Sequence, residues 1–204
     1  MIGLLGAHRT GKTTLARDFA RSEGIPFVQT DVSGTFKRLN YSPKEDYDFA
    51  TRLFIQEEIL TDLEDVYANY DDQWVIADRT PLDLAAYTLA DIQRQNVPQE
   101  MIHEVLTYVE RCFDVTNRNF SLVVMVQPGI EIEETEGKAP ANMAYIEHLN
   151  FIMKGLVNDH RILSYRTVLG RSVLDLNHRV DLLKQASDKV VEEAGDHGIK
   201  YLVH

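Results

Sequence analysis

Gly6-Ala7-His8-Arg9-Thr10-Gly11-Lys12-Thr13 satisfies G-x-x-x-x-G-K-[ST] at every fixed position. Glycines at these places let the backbone wrap a phosphate with its N–H groups, and a helix that starts at the lysine adds a favourable dipole. In such a loop Lys12 reaches the β- and γ-phosphates of ATP and the Thr13 hydroxyl holds Mg2+, with Thr14 completing the nucleotide-binding segment Gly6–Thr14. His8 and Arg9 lie inside the loop; Arg9 either touches phosphate or points to water.

Asp78-Arg79 closes an apolar run and forms a second constellation. The carboxylate suits a Mg2+-water ligand or a base for an acceptor hydroxyl, and the arginine suits a clamp on the transferring phosphoryl group. The plainer alternative is a surface ion pair that caps a helix. Asp31 follows another short apolar run and is a candidate general base, or simply a turn residue. Weaker candidates follow. Lys138 is either a lid cation or a solvated lysine, and Arg118, Arg161, Arg166 and Arg171 are candidates for an anionic acceptor path that no spacing selects. The seven histidines show no H-x-x-x-H or Cys/His pairing, so no protein-ligated transition metal is expected, and Cys112 reads as a packing residue.

These groups need elements to position them. Met1–Leu5, Phe27–Gln29, Trp74–Ala77, Leu122–Val126 and Ile162–Leu169 read as strands. Lys12–Ser22, Glu45–Tyr70, Pro81–Gln95, Gln99–Asn117, Ala141–His160 and Leu174–Ala194 carry helical periodicity, with a polar, turn-rich stretch from Asp31 to Pro43. Thr80-Pro81-Leu82-Asp83 has the chemistry of a helix start: an N-cap threonine, proline at the first helical position and an aspartate closing a capping box. Residues 129–140 lack periodicity and read as a mobile, lid-like loop. Strands alternating with helices predict an α/β domain with a five-stranded parallel sheet sandwiched by helices, and ligands gathering at the carboxyl ends of the strands.

Composition narrows the class. The 204 residues fit one domain over 1–204, with ample core. A single cysteine argues against a disulfide-stapled secreted protein, and no apolar run approaches the roughly 20 residues of a membrane-spanning helix. A cytoplasmic protein is expected, with no membrane partner. The formal charge of −11 opposes binding a polyanion over a broad surface. Ten carboxylates between Lys44 and Asp72, and Glu131, Glu133, Glu134 and Glu136, read as solvated faces.

Gly6–Thr13 together with Asp78-Arg79-Thr80-Pro81-Leu82-Asp83 resembles the small P-loop kinase family of phages and bacteria, which includes the nicotinamide riboside kinase domain of NAD-synthesis regulators. Its relatives include thymidylate and deoxynucleoside kinases and phage kinases of 5-hydroxymethyluracil in DNA. The resemblance covers most of the chain and implies an adenylate-kinase-like P-loop NTPase fold, with the acidic and basic site residues falling on Asp78 and Arg79. The lid region departs from the pattern, since it carries four Glu and only Lys138 where nucleotide kinases usually supply arginines.

The expected activity is ATP- and Mg2+-dependent transfer of a γ-phosphoryl group to a hydroxyl of a nucleoside- or nucleotide-type acceptor. A 5-hydroxymethyluracil acceptor, in DNA or as nucleotide, ranks ahead of a deoxynucleoside monophosphate or nicotinamide riboside. A non-kinase P-loop ATPase or switch is the competing class. The expected catalytic set is Lys12, Asp78, Arg79 and Asp31, with Thr13 and Asp78 at the metal; the sequence leaves the oligomeric state open, a dimer included.

Overall fold

The computed structural model describes residues 1–71, 73–92, 97–131 and 142–196. Five strands, β1 (Ile2–Leu5), β2 (Phe27–Val28), β3 (Ile76–Ala77), β4 (Leu122–Val126) and β5 (Tyr165–Leu169), form one parallel sheet in the order β2-β3-β1-β4-β5. β1 lies at the centre, with Ile2 opposite Ile76 on one side and Leu122 on the other. Every residue of β1 and β4 is buried, which is why both read as unbroken apolar runs.

Helices α1 (Lys12–Glu23) and α7 (Leu176–Asp196) pack on one face through Leu15, Phe19, Leu183 and Val190. The other face is covered by α3 (Phe49–Ala68), α4 (Pro81–Asp91), α5 (Ile102–Asn119) and α6 (Met143–Val157), whose Leu60, Tyr67, Leu82, Phe113 and Leu149 make the larger core. A 3-10 turn at Gln99–Met101 leads into α5, and the short α2 (Val32–Arg38) follows β2. Gly3 lets α4 and α5 approach the central strand: a Cβ there would stand 2.5 Å from the Thr80 methyl and 2.6 Å from the Phe120 ring.

The structure departs from the sequence reading most in three places, and α4, expected to reach Gln95, ends at Asp91 because Ile92 takes an extended conformation. α2 lies in the stretch expected to be turn-rich; seven residues are too few to show a period, and the helix is held by the Asp31 cap and by Phe36 against the core. α3 starts at Phe49, not Glu45, because the Asp48 carboxylate accepts from the Thr51 N–H at 2.8 Å and fixes the start there. β5 pairs only from Tyr165, since Ile162 N–H turns back to the Asp159 carbonyl. Among the described residues no helix is long and apolar enough to cross a membrane.

Candidate active site

β1 delivers the chain to Gly6 and α1 takes it up at Lys12, so the phosphate loop stands at the carboxyl end of the central strand. The loop is closely fitted: a Cβ at Gly6 would meet the Val126 carbonyl oxygen at 2.6 Å. Arg9 (φ 64°) and Gly11 (φ 84°) both take the left-handed conformation, which costs the arginine and suits the glycine. The Thr10 hydroxyl donates to the Ala7 carbonyl at 3.0 Å and braces the turn. Gly11 caps α1 without a side-chain acceptor, leaving the first-turn amides to an anion. Thr14 is exposed beyond it, on the first turn of α1.

Lys12 is buried, and its ammonium donates to the carbonyls of Gly6 and Ala7, 2.8 Å for the latter. It lies 3.9 Å from the Asp83 carboxylate. Burial pushes its pKa down to about 8, with Asp83 acting in the opposite direction. Asp83 has no exposed surface, and its two oxygens serve two elements. Oδ2 accepts from the Thr80 N–H (2.8 Å) and hydroxyl (3.1 Å), forming the expected capping box, while Oδ1 accepts from the Gly6 N–H at 3.3 Å. Burial raises the Asp83 pKa, opposed by Lys12 and then Arg79. The sequence showed the cap and missed the second role; the available signal was that the cap residue closes the segment opened by Asp78-Arg79.

Asp78 is also buried. Its Oδ2 accepts from the Thr13 hydroxyl at 2.8 Å, and its Oδ1 accepts from the Thr30 hydroxyl at 3.2 Å and N–H at 3.3 Å. Octahedral Mg2+ at about 2.1 Å from each ligand places neighbouring ligands about 3 Å apart, so the Thr13 and Asp78 oxygens, 2.8 Å apart, fit adjacent positions of one ion or its water shell. The helix-cap alternative for Asp78-Arg79 does not describe the structure, because Thr80 and Asp83 make the cap. The Arg79 guanidinium lies 5.9 Å from the Tyr87 ring centroid, and its own carbonyl accepts from the Tyr67 hydroxyl at 3.1 Å.

Asp31 takes the turn role. It is exposed and caps α2, accepting from the Gly34 N–H at 2.8 Å. Its neighbour Thr30, not Asp31, contacts Asp78.

A cavity of about 700 Å³ opens beside His8 and Arg79, between α2, α3, α4 and the start of α6. Phe36, Tyr47, Tyr87 and Tyr145 supply aromatic walls. Arg52 pairs with Asp91 at 3.4 Å and donates to the Tyr47 carbonyl at 2.8 Å. Near them the Gln56 side-chain oxygen is buried with no hydrogen-bond partner among the described residues. His8 leans out of the phosphate loop into this cavity, with Nδ1 3.2 Å from the Tyr87 hydroxyl and its ring 6.0 Å from that of Tyr145. Burial lowers the His8 pKa, and Lys12, Arg9 and Arg79 lower it further, which favours the neutral imidazole.

Sequence reasoning missed the cavity. Its available signal was polar residues four apart inside apolar helices, Arg52 with Gln56 and Tyr87 with Asp91, since that spacing puts both members on one face. The arginines considered for an acceptor path do not meet there. Arg118 pairs with Glu64 at 3.5 Å, Arg161 with Asp159 at 2.9 Å and with Glu110, and Arg171 with Glu147, while Arg166 donates to backbone carbonyls. Cys112 is fully buried, its thiol pushed up to about 12 by burial, as expected of a packing residue. Lys138, Glu133, Glu134 and Glu136, with most of the 129–140 loop, lie outside the described residues, as does Gln95.

A phosphate loop between the central strand of a five-stranded parallel sheet and its first helix, with a carboxylate at the end of the neighbouring strand, defines the P-loop kinase fold. The family model described as an AAA domain matches residues 1–168, and the chain belongs to that family. No curated protein sequence matches the chain. Among solved structures it is similar to deoxyadenosine kinase from M. mycoides with bound dATP, at TM-score 0.67 and 18% identity, covering 92% of this chain and 98% of that one. Thymidylate kinase from Candida albicans is similar at TM-score 0.60 and 14% identity, over 93% and 92% of the two chains. NadR protein in complex with NR gives TM-score 0.63 and 15% identity over 92% of this chain and 50% of that one.

Proposed function

We propose that the protein is an ATP-dependent kinase that transfers the γ-phosphoryl group to a hydroxyl of a nucleoside-type acceptor held in the cavity, with 5-hydroxymethyluracil the favoured acceptor. The observation that carries this reading is the placement of the cavity, which opens at Arg79 and His8 on the phosphate side of the loop. A switch or motor would need the phosphate loop but not a second, aromatic-walled pocket of ligand size beside it.

In this reading Lys12 exchanges its loop carbonyls for the β- and γ-phosphates, and the loop amides hold the nucleotide in line with the acceptor. Thr13 and Asp78 would hold Mg2+, which neutralises charge on the phosphates when bound. Arg79 clamps the transferring group. The buried position of Asp78 beside Thr13 supports it as the carboxylate that receives the acceptor proton through water, ahead of the exposed Asp31.

A uracil ring offers an imide N–H to the unpartnered Gln56 oxygen and two flat faces to the cavity's aromatic walls, and its 5-hydroxymethyl group supplies the alcohol. Glu45, Asp46 and Asp91 also line the cavity, and the candidate track arginines are committed to other partners. Both facts favour a free nucleoside or nucleotide over DNA, which would also have to give up base stacking to enter. The test is transfer of labelled γ-phosphate across nucleosides, nucleotides, nicotinamide riboside and oligonucleotides containing 5-hydroxymethyluracil. The kinase reading expects ATP turnover to rise steeply with one acceptor; hydrolysis indifferent to all of them overturns it. Greater activity on the oligonucleotide, falling steeply with salt, would reverse the preference for a free acceptor.

A further inference from the structure

α7 brings a charged residue to the back of the phosphate loop. Arg179, in its first turn, is 1% exposed and heads the largest fully buried side chains of the protein. Its guanidinium ties two loops together. Nε donates to the Val173 carbonyl at 2.6 Å, just after β5, and Nη1 donates to the Thr10 carbonyl at 3.0 Å. The same Nη1 stands 3.4 Å from where a Cβ on Gly11 would lie, so the tip rests against the left-handed turn that starts α1.

Two features set this residue apart from an ordinary strut. Nη2 is buried with no hydrogen-bond partner among the described residues. Among the described residues both hydrogen bonds of Arg179 go to carbonyl oxygens and neither to a carboxylate, and burial lowers its pKa. A buried cation without a counter-charge is destabilising, and an orphaned donor adds to the cost. A neutral side chain of similar length would fill the space without either penalty. An anion would suit this guanidinium, and its tip lies against Thr10 and Gly11 at the start of α1, where a helix N-terminus favours bound phosphate.

We infer that Arg179 is a positioning residue of the nucleotide site: it fixes the Thr10–Gly11 turn from behind, and a polyphosphate in the loop supplies the counter-charge that it lacks among the described residues. This rests on ATP binding at Gly6–Thr13. In the low-dielectric setting behind the loop the guanidinium acts on the phosphates through the backbone turn, without touching them. Nucleotide affinity therefore depends on a residue about 170 positions away in sequence, on the opposite side of the sheet from the acceptor cavity.

The experiment compares binding of ATP, ADP and adenosine to the full chain by calorimetry, for wild type, Arg179→Met, Arg179→Lys and, as the control on the loop itself, Lys12→Ala. Arg179→Met should weaken ATP about tenfold or more, ADP less, and adenosine hardly at all, with KM for the acceptor unchanged. A packing role alone would affect the three ligands equally. ATP affinity within twofold of wild type in a folded Arg179→Met protein overturns the inference. Should that variant fail to fold, Arg179→Lys decides: it keeps the charge but loses the fork, so a severalfold loss of ATP affinity with unchanged acceptor KM supports the inference and unchanged affinity overturns it. If Lys12→Ala itself leaves ATP binding intact, the phosphate-loop reading has failed instead.

Discussion

The phosphate loop and the cavity proposed to hold the acceptor are built on different plans. The phosphate loop is a single run, Gly6–Thr13, whose working groups are mostly backbone amides shaped by glycine and closed by one lysine and one threonine. The cavity has no such run: its walls come from α2, α3, α4, α6 and the loop residue His8, and in the proposed role its working groups are side chains. A backbone site constrains a few residues tightly and adjacently, so it is visible in sequence. A side-chain site needs only that distant residues end up facing one another, so substrate identity can change without disturbing the nucleotide site.

The contrast predicts that damage on the nucleotide side is severe and insensitive to the acceptor. Lys12→Ala should lower kcat by at least about a hundredfold with every acceptor, while circular dichroism stays that of wild type. Near-normal turnover in a folded variant would remove the loop from the mechanism.

The same lysine gives a pH signature. Its pKa of about 8 in the free protein means that the ammonium is charged below that pH and loses its proton as pH rises through it, earlier than an unfolded lysine would. ATP affinity should therefore be level below pH 8 and fall above it by no more than about tenfold per pH unit, and the fall should vanish in Lys12→Ala. Calorimetric titrations from pH 6.5 to 9.5 test this. For stability the sign is opposite: the folded state binds this proton more weakly, so the cost of burying the ammonium is relieved as pH rises above about 8.

On the acceptor side the expected effects are smaller and selective. Gln56→Leu should raise KM for the acceptor about tenfold and leave ATP affinity unchanged. Equal losses for both substrates would mean that Gln56 supports the fold and not the acceptor. The smallest effect is expected at Asp31, where removing the α2 cap by Asp31→Ala should cost about 1 kcal/mol in denaturant titration with little change in turnover. A large loss of kcat with normal ATP affinity would restore Asp31 as the general base.

The same division explains what the sequence revealed. The strand order could be anticipated only as a parallel sheet, yet β1, β4, the phosphate loop and the Thr80–Asp83 cap were legible because each is a local pattern with a local physical cause. α2 escaped because seven residues carry no measurable period, and its cap, Asp31, was weighed for chemistry instead. Arg118, Arg161 and Arg171 drew attention as cations, but cation count says nothing about which carboxylate each one meets. Arg179 gave no signal at all, because its role depends on a contact with Thr10 made across the fold.

Asp83 carries a consequence for how the molecule opens. One oxygen of this buried carboxylate holds the Thr80 N–H and the other the Gly6 N–H. Neither amide can exchange its hydrogen without disturbing the same buried carboxylate. The first turn of α4 and the first residue of the phosphate loop, 74 positions apart by subtracting 6 from 80, are thus joined into one cooperative unit. In native-state hydrogen exchange the two amides should respond to denaturant and to nucleotide together, so that part of the nucleotide site shares the stability of a core helix while the exposed Gly34 amide held by Asp31 exchanges on its own schedule.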